Sequence, residues 1–176
     1  MPSPKQPSLE TRVKSARLRA ESQKRKKELL QKAQDDLSNK QQEMDRYRLL
    51  AEQIFKQVNL EQKPVRNNTS KTLIFQFPGF AGRYDPNYFA ELNPLHKALL
   101  GIGNASTFQQ SPEQHQQYLS KLINKNVTPP TALSKKAIQS IIAQGIRFNL
   151  IDQEDSKYHL QADGVGILKV MKTKKK

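Results

Sequence analysis

The feature that most constrains this chain is a long stretch, from Ser8 to Gln62, that contains neither proline nor glycine. Ala, Leu, Lys, Arg, Glu and Gln dominate it, and these residues have high helix propensity. The stretch predicts either one long helix or two helices that are broken near residues 36–39. The seven residues before it hold three prolines, so we expect residues 1–7 to be disordered.

The first half of this helical arm (residues 8–62) is strongly basic. Between Arg12 and Lys27 there are eight basic residues and one acid, Glu21. They occupy every face of a helix, so no apolar stripe remains for a core, and like charges at helical spacing repel one another. Such a segment gains order from a polyanion. The basic residues are Arg12, Lys14, Arg17, Arg19, Lys24, Arg25, Lys26 and Lys27.

The second half of the arm carries a heptad pattern, with apolar residues at alternating spacings of three and four. Lys40 is the polar exception. The positions are Leu30, Ala33, Leu37, Lys40, Met44, Tyr47, Ala51, Ile54 and Val58. This pattern predicts a surface that packs against a partner helix, in a homodimer or with another protein, or against the C-terminal part of the same chain.

The composition changes after the arm. Residues 63–71 (KPVRNNTSK) are typical of a linker, residues 72–171 predict a small α+β domain, and residues 172–176 form a basic tail. Apolar residues alternate with their neighbours over 73–77, which indicates a strand. We expect the aromatic residues between 75 and 89 to form core rather than to stack on bases.

Three helices are predicted within this domain. The first covers residues 94–102, where Gly101 and Gly103 end it. The second starts at Ser111, because a proline follows and a glutamine three residues later completes a capping box. The third starts near Ser134 and buries a stripe of three isoleucines.

After Gly145 the period changes from helical to alternating. Residues 146–150 therefore predict a strand, the acidic residues 152–156 a turn, and residues 157–160 the second strand of a hairpin. Residues 165–171 are a further strand candidate. The predicted fold class is α+β, with a long basic N-terminal helix followed by a small, mostly helical domain with a C-terminal β-hairpin.

Charge indicates the class of partner. The 176 residues include 30 Lys and Arg against 16 Asp and Glu, which gives a formal net charge of +14. A field of this sign concentrates polyanions, and nucleic-acid phosphates are the commonest of them. The chain has no cysteine, no apolar run of membrane-spanning length and no secretory signal pattern. We therefore expect a cytoplasmic protein, or a nuclear one in a eukaryote.

Patterns typical of enzymes and metal sites are missing from the sequence. His96, His115 and His159 lie far apart and outside any ligand-spaced motif, so we expect surface or half-buried side chains there. No serine sits in a nucleophile-elbow pattern. Gly101-Ile102-Gly103 is too short for a phosphate-binding loop and lacks the lysine that follows one. The sequence predicts no enzyme, no metal and no cofactor.

Further candidate nucleic-acid contacts lie outside the arm. Lys135, Lys136 and Arg147 are ordinary surface charges unless the fold places them beside it. The tail either keeps the chain soluble or contacts phosphate, and the sequence favours neither role. Its candidate residues are Lys172, Lys174, Lys175 and Lys176.

The C-terminal third, SKKAIQSIIAQGIRFNLIDQEDSKYHLQADGVGILKVM, resembles the end of a winged-helix domain. In that pattern a helix carries the recognition surface and the following hairpin is the wing. Tyr158, Leu160 and Gly164 occupy the usual wing positions. The resemblance implies that the exposed face of residues 134–144 reads a groove, with Lys135, Lys136 and Gln139 as candidate contacts.

Short motifs also resemble the ProQ/FinO family of RNA chaperones. They are Phe77-Pro78-Gly79-Phe80, Leu133-Ser134-Lys135, Arg147 and Asp163-Gly164. A basic helical arm ahead of the domain suits that family. The family's Pro-Leu-Lys-x-Gly-Ile motif is stretched here to Pro94-Leu95 and Gly101-Ile102, and the segment from there to Leu133 is longer. The resemblance would assign RNA-binding roles to Lys97 and Arg147.

The sequence thus predicts a nucleic-acid-binding protein, with RNA slightly favoured over DNA because arginine-rich arms that order on binding recur there. The alternative is a structural or adaptor protein that binds a partner helix through residues 30–58 within a large assembly. Binding to a membrane surface is disfavoured, because the basic half of the arm lacks an apolar face.

Overall fold

The computed structural model describes residues 8–58, 60–106 and 110–172. Its first element, α1 (Leu9–Gln57), is one continuous helix, so the alternative with a break near residues 36–39 is wrong. Contacts within the chain divide it into two units, with the boundary between Glu43 and Met44. The predicted disorder of residues 1–7 and the tail residues 173–176 lie outside the described residues.

The first unit, as described, is the helical segment up to Glu43. Every side chain from Ser8 to Glu43 is exposed, including the heptad residues Leu30 and Leu37, which are 64% and 70% exposed. A helix with no buried face depends on residue propensity and on contacts between successive turns. One such contact joins Gln31 Nε2 to Asp35 Oδ1 at 3.0 Å.

The second unit begins at Met44 and is the α+β part of the chain. Its further helices are α2 (Pro86–Ala90), α3 (Pro94–Ala105), α4 (Pro112–Ile123), α5 (Lys135–Arg147) and α6 (Ala162–Lys172), with a 3-10 turn at Pro129–Thr131. Its strands are β1 (Leu73–Phe77), β2 (Phe80–Tyr84), β3 (Ile151–Glu154) and β4 (Lys157–Leu160). The predicted fold class, including the C-terminal hairpin, is confirmed.

Within the described residues, the strands form two antiparallel hairpins. β1 pairs with β2 and β3 pairs with β4, each through a two-residue connection. In the first connection Pro78 precedes Gly79, whose φ of +86° suits the left-handed position of a tight turn. In the second, Asp155 and Ser156 both have positive φ, as a type I′ hairpin turn requires. The aromatic residues predicted as core are largely buried, with Phe75, Phe77, Phe80, Tyr84 and Phe89 each below a tenth exposed.

Helix α3 forms the centre of this unit. Its residues from Pro94 to Ala105 are buried except Asn104, and it packs against β1, β4, α4, α5 and α6. A helix that is enclosed on all sides must be apolar or small nearly all round, which explains its run of Leu, Ala, Gly and Ile. Gly101 and Gly103 therefore do not end the helix as predicted. A Cβ at Gly101 would lie 2.8 Å from Leu122, and one at Gly103 would lie 2.5 Å from the Phe77 ring.

The end of α1 belongs to this unit. Tyr47, Ala51, Ile54 and Val58 are buried in its core, so packing of the second half of the heptad on the same chain is confirmed for these four positions. Residues 63–71, predicted as a linker, are hydrogen-bonded to the unit: Thr128 N donates to Lys63 O at 2.7 Å. The compact unit therefore includes residues ahead of the predicted domain start at residue 72.

The predicted strand at residues 146–150 is wrong. Helix α5 continues to Arg147, and the first strand of the C-terminal hairpin is β3, which includes most of the predicted acidic turn. Gly145 is not a helix cap but a point of close packing, because a Cβ there would lie 2.5 Å from Ile151 Cδ1. The chain turns instead at Asn149, whose φ is +61°.

The predicted strand at residues 165–171 is also wrong, since α6 covers Ala162–Lys172. Val165, Ile167 and Val170 favour a strand by propensity, but buried positions at 164, 167 and 168 follow helical spacing. Tertiary contacts outweigh the propensity here. Gly166 lets the helix approach the Tyr47 ring, from which a Cβ would be 2.3 Å away.

Helix α4 starts where the sequence predicts, and with the predicted capping interaction. Ser111 Oγ accepts from Gln114 N at 3.2 Å, and Ser111 N donates to Gln114 Oε1 at 3.0 Å, which is the predicted capping box. We expect Ser111→Ala to lower the free energy of unfolding by about 1 kcal/mol, because a donor at the helix end loses its partner. Urea titration followed by circular dichroism measures this change. The control is Ser140→Ala on the exposed side of α5, which should be neutral or slightly stabilising; equal losses in both variants would contradict the capping account.

Candidate nucleic-acid interface

The basic segment of the arm, Arg12–Lys27, has a high density of exposed positive charges. All its side chains are exposed, and all lie on α1 within the first unit. Eight basic residues and Glu21 leave a net charge of +7, half the formal charge of the whole chain. At 1.5 Å per residue the segment is about 24 Å long, so it carries a positive charge every ~3 Å of axis. This approaches the ~1.7 Å spacing of phosphates along a DNA duplex axis.

The candidates on α5 lie at opposite ends of that helix. Lys135 and Lys136 are exposed in its first turn, behind the cap in which Ser134 Oγ accepts from Ala137 N at 3.1 Å. No acidic residue stands in that first turn. Arg147 is exposed in the last turn, about 18 Å away along the axis. The structure therefore does not bring the three residues into one contact surface, and Arg147 is well placed to interact with the helix C-terminal dipole.

The exposed face of α5 also includes Gln139, the third residue that the winged-helix resemblance implicates. Lys172 is the last residue of α6. Lys174, Lys175 and Lys176, the remaining candidates in the tail, lie outside the described residues. The tail therefore stays a sequence-based prediction.

Lys97 cannot take the role that the ProQ/FinO resemblance assigns to it. Its side chain is 0% exposed within α3, so no phosphate can reach it in this fold. Its Nζ donates to Gln62 Oε1 at 2.9 Å and to Ile123 O at 3.2 Å. The ammonium also lies 5.8 Å from the centroid of the Phe89 ring. Lys97 thus connects the segment after α1 to the end of α4.

Burial disfavours the charged form of this lysine. Desolvation lowers the pKa of Lys97 from 10.5 to about 8. A lysine with such a pKa is a possible nucleophile in an accessible site, but this one is closed to any substrate. Its hydrogen bonds indicate a structural role.

Two of the histidines are buried, which corrects the expectation of surface or half-buried side chains. His96 is 1% exposed and stacks on Phe55 with ring centroids 5.8 Å apart, and burial lowers its pKa to about 4. His115 is 3% exposed, and its Nε2 accepts from Tyr158 N at 3.4 Å. Burial, with smaller contributions from His159 and Lys157, lowers the pKa of His115. Both imidazoles are parts of the core.

Among the residues that the structure describes, no three or more His, Cys, Asp or Glu side chains form a cluster that could hold a metal ion. Within the same residues, no helix combines the length and apolar character needed to cross a membrane.

A cleft between β1 and α4 was not predicted from the sequence. Tyr118, Lys121 and Lys125 line its α4 side, and residues 73–75 line the other. The available sequence signal is the spacing of three between Tyr118 and Lys121, which places both beside the buried face of α4, whereas Lys125 lies just beyond the helix cap. Their strand neighbour is distant in sequence, so only the fold shows the cleft.

Comparison of the chain with protein-family models, with curated proteins and with solved structures gave no match.

Proposed function

We propose that the protein binds nucleic acid, with RNA favoured slightly over DNA, and that it works in the cytoplasm or, in a eukaryote, the nucleus. The observation that carries this proposal is the exposed segment Arg12–Lys27. Its sixteen helical residues carry half of the net charge of the whole chain. A charge density of this kind releases counterions when it meets a phosphate backbone. It also has no packing role within its own unit, because none of its side chains is buried there.

The second unit would add a preference for particular shapes or sequences. Lys135 and Lys136 lie in the first turn of α5, where the helix dipole favours phosphate. Gln139 on the same exposed face would be a base-edge or sugar contact. Arginine-rich segments that order on binding are common among RNA ligands, which is the reason for favouring RNA.

The alternative function is a structural or adaptor protein that binds a partner helix. Exposed leucines favour it: Leu29, Leu30 and Leu37 are each more than 60% exposed. However, the heptad positions from Tyr47 onward are already buried in the chain's own core. A partner helix would therefore have only Leu30, Ala33, Leu37 and the region of Lys40, which is short for a stable coiled coil.

The test uses full-length protein and a matched pair of triple variants. One variant replaces Arg17, Lys24 and Lys27 by Gln, and the control replaces Lys32, Lys40 and Lys56 by Gln; all six side chains are exposed on α1. Both lose three positive charges. Binding to a fluorescein-labelled RNA hairpin, a DNA duplex and single-stranded RNA is measured by anisotropy at several salt concentrations.

We expect the first variant to reduce the slope of log K against log salt by about two to three, because about 0.7 to 0.9 counterion is released per phosphate contact. The control should change the slope by less than about one. Equal slopes in both variants would place the phosphate contacts elsewhere. If wild-type protein binds none of the three ligands near physiological salt, the proposal is wrong, and sedimentation of the protein would then test helix pairing through Leu30 and Leu37.

A further inference from the structure

The cleft between β1 and α4 has the form of a binding groove. This open groove has a volume of about 360 Å³, and three successive residues of β1, Leu73, Ile74 and Phe75, line it. Side chains alternate across a strand, so Ile74 points away from Leu73 and Phe75. Three successive residues can line one cleft only if the backbone edge of the strand forms its wall.

The register of the hairpin shows which backbone groups lie on that edge. Phe77 pairs with Phe80 across a two-residue turn, so Phe77, Phe75 and Leu73 exchange hydrogen bonds with β2. Ile74 and Gln76 alternate with them and direct their N–H and C=O groups outward. On this outward side Gln76 N donates to Asn104 Oδ1 at 3.5 Å, which marks one end of the groove. The N–H and C=O of Ile74 face the cleft.

The opposite wall is helix α4 and the residue after its cap. Tyr118, Lys121 and Lys125 follow one another at spacings of three and four, and Leu122 adds an apolar contact. Tyr118 Oη accepts from Asn104 Nδ2 at 3.1 Å, and burial raises the pKa of this phenol, so its own proton is held as a donor. Lys121 is exposed and Lys125 is half-buried. The groove thus has an open strand edge on one side and two cations on the other.

We propose that this groove binds an extended peptide segment, which adds as a strand to β1 and carries acidic side chains toward Lys121 and Lys125. A groove between an edge strand and a helix is a recurring site of strand addition, in which main-chain hydrogen bonds give affinity and flanking side chains give specificity. Ile74, at 59% exposed, supplies an apolar contact for the added strand. This binding is independent of nucleic-acid binding by the arm.

The groove fits a peptide better than its rivals. A peptide offers both an N–H for Ile74 O and a C=O for Ile74 N, whereas a phosphate backbone offers acceptors only. Pairing of β1 with β1 of a second copy would bring the two pairs of lysines toward each other, and like charges oppose that association. Lysines beside an open edge also prevent edge-to-edge pairing, so edge protection without any ligand is the competing explanation.

The experiment selects ligands with full-length protein from a phage-displayed library of random linear peptides. Synthetic forms of the enriched peptides are then measured by anisotropy against four proteins: wild type, Ile74→Pro, Ile74→Thr and Lys121→Glu/Lys125→Glu. Ile74→Pro removes an N–H that β1 does not use for pairing with β2, while Ile74→Thr keeps it. Circular dichroism melting checks that each variant is folded.

The proposal predicts enriched peptides with alternating apolar residues and at least one acid. Ile74→Pro should weaken their binding by at least about tenfold, Ile74→Thr by no more than about threefold, and the double Glu variant by at least about tenfold. If Ile74→Pro does not fold, the double Glu variant decides alone. Absence of enrichment, equal binding by all folded variants, or displacement of the peptide by ten-residue oligouridine as the better ligand of this groove would each overturn the proposal.

Discussion

Replacing Gly166 by alanine is expected to lower the free energy of unfolding by about 2 kcal/mol, within the usual range for overpacking a core. Gly166 lies in α6, and a Cβ there would stand 2.3 to 2.6 Å from three atoms of the Tyr47 ring. Tyr47 cannot easily move aside, because it is 8% exposed and its Oη donates to Asp163 Oδ1 at 3.3 Å. The clash outweighs the 0.5 to 1 kcal/mol that alanine gains over glycine within a helix.

A double-mutant cycle with Tyr47→Ala separates the clash from other effects. In the Tyr47→Ala background the ring is gone, so Gly166→Ala should be neutral or stabilising by about 0.5 kcal/mol through helix propensity. Urea unfolding of the four proteins, followed by circular dichroism, gives the coupling free energy. If Gly166→Ala lowers the free energy of unfolding equally in both backgrounds, contact with the Tyr47 ring is not the reason that residue 166 is a glycine.

The same contact changes how the chain should be divided in experiments. The sequence places the domain start at residue 72, yet Tyr47, Ala51, Ile54 and Val58 are buried in the core of the second unit. A fragment that begins after residue 62 would lose those side chains and expose the part of the core that they cover. Variants of the full chain are therefore the sound way to test the arm.

Local signals in the sequence predicted the elements that local chemistry determines. The capping box at Ser111 and the cap at Ser134 fix the starts of α4 and α5, because those hydrogen bonds join residues three apart. The alternation over 73–77 identifies β1 for the same reason, since neighbouring residues face opposite sides. The long proline-free stretch likewise predicted α1.

The sequence-based predictions were wrong where contacts between residues distant in sequence determine the structure. Helix α6 contains β-branched residues and two glycines, and it is helical because Gly166 and Gly164 allow close contacts with Tyr47 and Leu150. Helix α3 places His96 and Lys97 in the core, although both residue types are usually found at surfaces. The groove beside β1 forms because α4 lies next to a strand that is about forty residues earlier in the sequence. No pattern within a short window contains that information.

Because Lys97 is buried, we expect the stability of the protein to rise with pH on the alkaline side. The folded state lowers the pKa of Lys97 from 10.5 to about 8 because burial disfavours its charge. Between these two pH values the unfolded chain binds more protons than the folded one, so the free energy of unfolding increases as pH rises. Below pH 8 both states carry the charge and the full penalty of burying it remains.

The increase in the free energy of unfolding should end near pH 10. Burial raises the pKa of Tyr84 from 10.0 to about 12, so above pH 10 the unfolded state gains stability by ionising this phenol while the folded state does not. The slope is at most about 1.36 kcal/mol per pH unit and about half of that at pH 8, so the expected gain between pH 8 and pH 10 is about 2 kcal/mol. Urea titrations at pH 7, 8, 9 and 10 measure this profile directly.

Lys97→Met is the control, because methionine fills a similar volume without a titrating group. Its unfolding free energy should be nearly constant between pH 8 and pH 10 and then fall with the wild-type curve as Tyr84 ionises. The difference between the two proteins should be largest near pH 7, where the wild-type lysine is buried with its charge. If both proteins show the same rise, another group titrates and the hydrogen bonds of Lys97 to Gln62 and Ile123 preserve its ordinary pKa. If only the wild type shows the rise in unfolding free energy, Lys97 is a buried cation whose charge destabilises the core. It would then not be the RNA contact that the ProQ/FinO resemblance implies.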